Sequence, residues 1–183
     1  MPVHISICIC TFRRPRLLAI LLEKLRFLET HDRFTYSTIV VDNDYRESAR
    51  GVVETARRLS GLIIEYLCEP EQNISLARNK AVRNAKGGLI AFIDDDEFPA
   101  RDWLLNLFGT FVNSPCAGVL GPVEPYFESP PPKWLVKGRF CERDSFKTGH
   151  LLESKNTRAG NVLLSRAIFE DESNYFGVEY GLT

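Results

Sequence analysis

Leu89-Ile90-Ala91-Phe92-Ile93-Asp94-Asp95-Asp96-Glu97 changes character abruptly, from five apolar residues to four acidic ones. An apolar run with no polar face is the mark of a strand covered on both sides, as in parallel sheets flanked by helices. The three aspartates directly behind it repel one another. A divalent cation relieves that repulsion, and hard oxygen ligands suit Mg2+ or Mn2+. Such a cation keeps waters and substrate phosphates in its shell, so a nucleotide diphosphate is the natural companion. The plainer reading makes these residues a solvated loop that caps a helix beginning near Pro99. A cap needs one aspartate, and three are more than it requires.

Working outward, the same rhythm of strand and helix recurs on the N-terminal side. Ile5-Ser6-Ile7-Cys8-Ile9-Cys10 alternates as a strand, and Pro15 suits the first turn of a helix. Leu18, Leu21, Leu22, Leu25 and Leu28 then fall on one helical face. Thr38-Ile39-Val40-Val41 reads as a second strand, Ser48 to Leu59 as a helix, and Leu62 to Leu67 as a third strand. Asn73 or Ser75 is placed to cap a helix that runs to Ala85 and ends before Gly87-Gly88. Pro99 to Val112 carries Trp103, Leu104, Leu107, Phe108 and Phe111 on one side as a fourth helix. Four strands alternating with four helices predict a mostly parallel α/β sheet with helices on both faces. Beyond Val119-Leu120-Gly121-Pro122 the rhythm breaks. Pro130-Pro131-Pro132 marks a loop, and Asn161-Val162-Leu163-Leu164 reads as a late strand.

Composition narrows the function classes. With 183 residues, 44% of them hydrophobic and a net charge of −1, the chain is globular and not disordered. Lys and Arg number 23 against 24 Asp and Glu, so no basic field exists to attract nucleic acid. No apolar run approaches the roughly 20 residues that span a bilayer. Met1-Pro2-Val3-His4-Ile5-Ser6 has no secretory-signal pattern, so the expected compartment is the cytoplasm. The five cysteines, an odd number, are read as reduced and mostly buried thiols.

Three polar clusters lie just past predicted strand ends: Thr11-Phe12-Arg13-Arg14, Asp42-Asn43-Asp44 and Asp94-Asp95-Asp96-Glu97. In open α/β sheets ligands bind beyond the carboxyl ends of the strands, where the strand order reverses. An order of 3-2-1-4 makes Arg13 and the acidic cluster face one crevice. Asp42-Asn43-Asp44 suits a turn and equally suits reading a base edge or a ribose hydroxyl. Arg78 falls in the first turns of a helix, where an arginine is either solvated or near an anion. Arg13-Arg14-Pro15-Arg16 is a solvated face unless that crevice exists.

Together, these segments resemble the family 2 glycosyltransferases, which have the GT-A nucleotide-sugar-binding fold. The resemblance rests on Ile7 to Pro15, Val40 to Asp44, Asn73 to Ala81, Ala91 to Glu97 and Ala159-Gly160-Asn161-Val162-Leu163-Leu164-Ser165-Arg166, in family order. The Asp-Asn-Asp, Asp-Asp-Asp-Glu and Gly-Pro-Val pieces look most like bacterial exopolysaccharide enzymes of the succinoglycan type. The resemblance implies nucleotide contacts from Thr11, Arg13, Asp42, Asn43, Arg78, Asp94 and Asp95. It implies Mn2+ or Mg2+ on Asp96 and Asp94, Asp96 being the direct ligand, and places Gly160 and Asn161 near the donor sugar and acceptor. Asn43 departs from the commoner Asp.

The implied reaction is metal-dependent and inverting. It moves a sugar from a nucleotide-diphosphate donor, a UDP-sugar, to a glycan or lipid-linked oligosaccharide acceptor in exopolysaccharide biosynthesis. A lipid-linked acceptor implies peripheral association with the inner face of the membrane. Residues 1–125 are expected to form the nucleotide-sugar-binding domain and 126–183 the start of an acceptor-binding portion. The ending Tyr180-Gly181-Leu182-Thr183 is read as a C-terminal truncation. The family's Gly-Glu-Asp-type base motif finds no match, and Glu179 does not fit it. The alternative is a nucleotide-sugar-binding module or inactive fragment without the base. A nucleotidyltransferase or dinucleotide oxidoreductase would need a glycine-rich loop after the first strand, and Thr11-Phe12-Arg13-Arg14 has none.

Overall fold

A computed structural model describes residues 2–181, so Leu182 and Thr183 of the ending discussed above lie outside the described residues. Strands β1 (Val3–Thr11), β2 (Phe34–Asp42), β3 (Ile64–Cys68) and β4 (Leu89–Phe92) run parallel. Strands β5 (Gly118–Leu120) and β6 (Val162–Ser165) complete one sheet in the order β3-β2-β1-β4-β6-β5. The first four therefore take the expected 3-2-1-4 order. β6 is antiparallel to both of its neighbours, β4 and β5. A strand from beyond residue 126 thus lies inside the sheet, which the 125/126 boundary does not divide.

Alternation along β1 sorts its side chains to two cores. Ile5, Ile7 and Ile9 pack with Leu18, Leu21, Leu22 and Leu25 of α1 (Pro15–Leu25), Val53 of α2 (Arg50–Ser60) and Leu104, Leu107 and Phe108 of α4 (Trp103–Val112). On the other face Cys8 joins Ile39, Val41, Ile90 and Phe92 beneath Ala77, Ala81 and Val82 of α3 (Ile74–Asn84), with Phe169 of a 3-10 turn. All five cysteines are free, and burial pushes the Cys8 thiol well up and Cys10 to about 12. Cys8 packs as a small hydrophobe in the core, whereas Cys10, Cys68 and Cys116 are only half-buried and Cys141 is exposed, fewer buried thiols than the sequence suggests.

Several boundaries differ from the sequence reading, each for a local reason. β2 starts at Phe34, because Phe34 is buried against Phe108 and the His4 ring bonds the hydroxyls of Thr35 and Ser37 at 2.8 and 2.9 Å. α4 starts at Trp103 and not at Pro99, since the Arg101 carbonyl accepts from the Glu29 amide at 2.8 Å. Asn73, not Ser75, caps α3, accepting from the amides of Ser75 and Leu76. Between β5 and β6 the chain forms an arm with one short helix, α5 (Lys133–Gly138), whose Trp134 is exposed along with Tyr126, Phe140 and Leu151. Among the described residues no helix is long and apolar enough to cross a membrane.

Candidate functional site

The carboxyl ends of β1, β2 and β4 bring the three polar clusters to one edge of the sheet. At the end of β1, Thr11 is buried and donates through Oγ1 to Asp95 Oδ2 at 2.7 Å, tying β1 to the turn after β4. Arg13 takes a left-handed backbone, φ 54°, and the chain turns sharply there. The two arginines consequently part. Arg13 Nε donates to Asp44 Oδ2 at 3.3 Å, whereas Arg14 Nη1 donates to Asp95 Oδ1 at 3.1 Å and Asp96 Oδ2 at 2.8 Å. Arg14 is thus the arginine bonded to the acidic cluster, while Arg13 is bonded to the turn after β2. Arg14, the residue before Pro15, has φ −122° and ψ 50°, outside both the helical and the extended regions.

Behind β2, all three side chains of Asp42-Asn43-Asp44 are buried and internally engaged. Asp42 Oδ1 accepts from the Asp44 amide at 3.1 Å, and Oδ2 accepts from the Ala49 amide at 2.7 Å and the Tyr66 hydroxyl at 3.0 Å. Burial, with the Asp42 carboxylate beside it, pushes the Tyr66 phenol up. Asn43 Nδ2 donates to the carbonyls of Glu69 and Glu71 at 2.9 and 2.6 Å, while Oδ1 accepts from the Asn73 amide at 2.9 Å. An aspartate at position 43 could donate neither of those two bonds when ionised.

Behind β4 the arrangement is open. The Asp95 side chain is only 6% exposed, held by Thr11 and Arg14, but those of Asp94 and Asp96 are 49% and 50% exposed. Partial burial raises the Asp94 and Asp95 carboxyls above the usual carboxylate range, opposed by Arg78 at Asp94 and by Thr11 and Arg14 at Asp95. Glu97 is pushed to about 7, by burial first and then by the Asp94 charge. Its Oε2 accepts from the Asp94 amide at 3.3 Å.

Arg78 reaches this cluster from α3, its Nη2 lying 3.8 Å from Asp94 Oδ1. Its guanidinium also sits 5.5 Å from the centre of the Phe176 ring. Asn79 clamps the Phe176 backbone with two 2.9 Å bonds, and Phe176 meets Phe92 edge-on. Phe176 and Asn79 are positioning residues that the sequence reading missed, since the contact bridges nearly a hundred residues of chain.

Gly160 and Asn161 separate in role. A Cβ at Gly160 would lie 2.6 Å from Asp94 Oδ2, so a side chain there would push that carboxylate aside. Asn161, at φ 49°, accepts from Trp103 Nε1 at 2.7 Å and donates to the Pro122 carbonyl at 2.6 Å. Its side chain therefore pins α4 and the arm to β6. Asp96 and Glu97 line one side of a groove of about 2090 Å³, with Tyr126, Phe146 and Arg158 across from them. That space exceeds what a drug-sized ligand needs, roughly 300–1,000 Å³.

Among the described residues no three His, Cys, Asp or Glu side chains converge to hold a metal by themselves. The donors nevertheless fit a hard cation shared with a ligand, since Mg2+ is usually held by one or two carboxylates plus substrate phosphates. Asp94 and Asp96 are the pair left open for it.

Residues 6–173 match the model of the family described as "Glycosyl transferase family 2". The chain is 36% identical over 170 residues to the succinoglycan biosynthesis protein ExoM of Rhizobium meliloti, covering 90% of this chain and 55% of that protein. It is 28% identical to a glucosyl-dolichyl phosphate glucuronosyltransferase of Haloferax volcanii, covering 94% of this chain and 56% of the relative. The chain thus spans about half the length of the curated relatives it matches. The fold is also that of S. aureus TarS 1-349 in complex with UDP, with a TM-score of 0.72, 18% identity, and coverage of 99% of this chain and 52% of that one. A mannosyltransferase from Pyrobaculum calidifontis in complex with GDP-Man and Mn2+ gives a TM-score of 0.59 at 22% identity, covering 68% and 36%.

Proposed function

We propose that this chain, which belongs to glycosyl transferase family 2, binds a UDP-sugar and moves the sugar to a glycan or lipid-linked oligosaccharide acceptor in exopolysaccharide biosynthesis. The observation that carries the reading is the turn after β4, where Asp94 and Asp96 stay open while Asp95 is locked to Thr11 across the β1–β4 switch point. The similarity to ExoM supports the polysaccharide setting, and the nucleotide-bound neighbours of like fold support the donor class.

In this reading Asp94 and Asp96 hold Mn2+ or Mg2+, with Asp96 the direct ligand. When bound, the metal neutralises the charge that develops on the departing diphosphate. Arg78, steadied by Phe176, adds a fixed positive charge beside Asp94. Thr11 and Asp95 hold the ribose side of the pocket together. Asp42 and Asn43 act on the nucleoside through the shape of their turn, their own polar atoms being engaged, and Arg13 closes that turn onto Asp44. Gly160 lets the donor sugar approach Asp94, while Asn161 holds the groove wall. The acceptor hydroxyl attacks the anomeric carbon opposite the leaving nucleotide diphosphate, which inverts that centre. A carboxylate base takes the hydroxyl proton. No described residue is assigned that role; Glu179 sits exposed in a turn (Val178–Tyr180) strapped to the start of α3. The 1–125 portion supplies the donor site, residues 126–183 begin the acceptor side, and a lipid-linked acceptor brings the protein to the inner face of the membrane.

Calorimetry with UDP tests the metal-linked site. We expect affinity to fall at least about tenfold when EDTA replaces Mn2+, the loss of one directly bonded charge contact. Equal affinity in both buffers would remove the metal from the site.

A further inference from the structure

We propose that Arg14 is an exchangeable counter-ion that makes cation binding at Asp96 depend on the arrival of a diphosphate. The inference rests on the reading of Asp94–Asp96 as the cation and diphosphate site, and adds to it an order of events set by this chain's own residues.

The geometry is specific. A single nitrogen, Arg14 Nη1, bridges Asp95 Oδ1 at 3.1 Å and Asp96 Oδ2 at 2.8 Å. Asp95 is closed and anchored by Thr11, so it acts as a fixed post. Asp96 is half exposed and faces the groove, so it is the carboxylate a divalent cation reaches first. The guanidinium occupies an oxygen that such a cation needs. Two positive groups cannot share it at close range without strong repulsion. Arginine keeps its charge at any working pH, so it yields the oxygen only by moving away.

Arg14 is built to move. Its side chain is 52% exposed, and its only ion-pair partners among the described residues are Asp95 and Asp96. Two neighbouring arginines are held differently. Arg13, just as exposed at 54%, is bound to Asp44 and lies 4.7 Å from the centre of the Phe12 ring. Arg78 is only 21% exposed and rests on Phe176. A diphosphate entering beside Asp96 offers Arg14 a better anionic partner, because the planar guanidinium fork matches phosphate oxygens. Once it turns to the phosphate, Asp96 is released to the cation. Metal and nucleotide then favour one another, and by linkage each raises the other's affinity by the same factor.

The test is a Mn2+ titration followed by electron paramagnetic resonance, with and without saturating UDP, on the full chain and on Arg14→Gln. Glutamine keeps an unbranched polar side chain ahead of Pro15 without the charge, and circular dichroism checks that the variant is folded. We expect Arg14→Gln to bind Mn2+ alone at least about fivefold more tightly than the parent, and the UDP-induced gain in Mn2+ affinity to shrink by a similar factor. Arg14→Lys keeps a charge without the fork and should fall between the two. Unchanged or weaker Mn2+ binding by folded Arg14→Gln in the absence of UDP overturns the exchange while leaving the site reading intact. A parent chain that binds no Mn2+ even with UDP overturns both.

Discussion

Two acidic turns flank the end of β1 at the carboxyl edge of the sheet, and they use the same residue types in opposite ways. Asp42-Asn43-Asp44 follows β2 with every side chain buried and bonded inward. Asp94-Asp95-Asp96 follows β4 with one side chain bonded inward and two half-exposed, of which Asp96 lines the groove. The difference lies in the surroundings. The β2 turn is enclosed by the start of α2, by Tyr66 of β3 and by the Glu69–Asn73 loop, all of which offer N–H or O–H donors or backbone carbonyls. The β4 turn has α3 and β6 beside it, which present Arg78 and a glycine, and then open space. A buried carboxylate whose oxygens are all bonded becomes a strut, as at Asp42, whereas the half-exposed carboxylates of Asp94 and Asp96 remain within reach of a ligand.

Three substitutions break or sharpen this contrast. The largest effect belongs to Asp42→Ala, which strands the Asp44 and Ala49 amides and the Tyr66 hydroxyl. A stability loss of about 3 kcal/mol is expected in urea unfolding, from several buried donors left without partners. Full stability together with lost UDP binding would make the β2 turn a ligand turn like its neighbour. Next comes Asp96→Ala. Its effect should appear in ligand binding, as a loss of at least about tenfold in Mn2+-supported UDP affinity, roughly 1.4 kcal/mol, with the melting temperature nearly unchanged. A large drop in melting temperature would instead make Asp96 a strut. The smallest is Tyr66→Phe, which removes one of the three bonds to Asp42 and should cost about 1 kcal/mol. Nucleotide affinity should stay at the parent's value, and a change there would show that Asp42 reaches the ligand.

The sequence made the strand–helix rhythm legible because β1 and β4 are apolar enough to announce themselves, whereas the order 3-2-1-4 stood only as a condition for the crevice and is seen in the structure. The acidic triplet behind Phe92-Ile93 was equally visible as a cluster. What the pattern did not carry was which aspartate turns inward. Consecutive residues in a turn point in directions set by backbone angles, and the left-handed conformation at Arg13 has no clear mark in Thr11-Phe12-Arg13-Arg14. Which aspartate each of Arg13 and Arg14 bonds was therefore not readable from the pattern. Asn161 was likewise visible only as part of a motif. Its work between Trp103 and Pro122 depends on partners far away in the chain, which periodicity does not encode.

The position of β6 has a consequence for how the protein is made. β5 pairs only with β6, and β6 separates it from β4, yet the whole arm is synthesised between the two. While the chain leaves the ribosome, β5 must wait unpaired until residues beyond the arm have emerged, and β4 keeps a bare edge for the same interval. An exposed edge is a template for wrong partners, and closing it requires a long loop to come together first. β6, made after the arm, is thus the strand that seals the edge of β4, and the groove wall pinned by Asn161 can form only once it has paired.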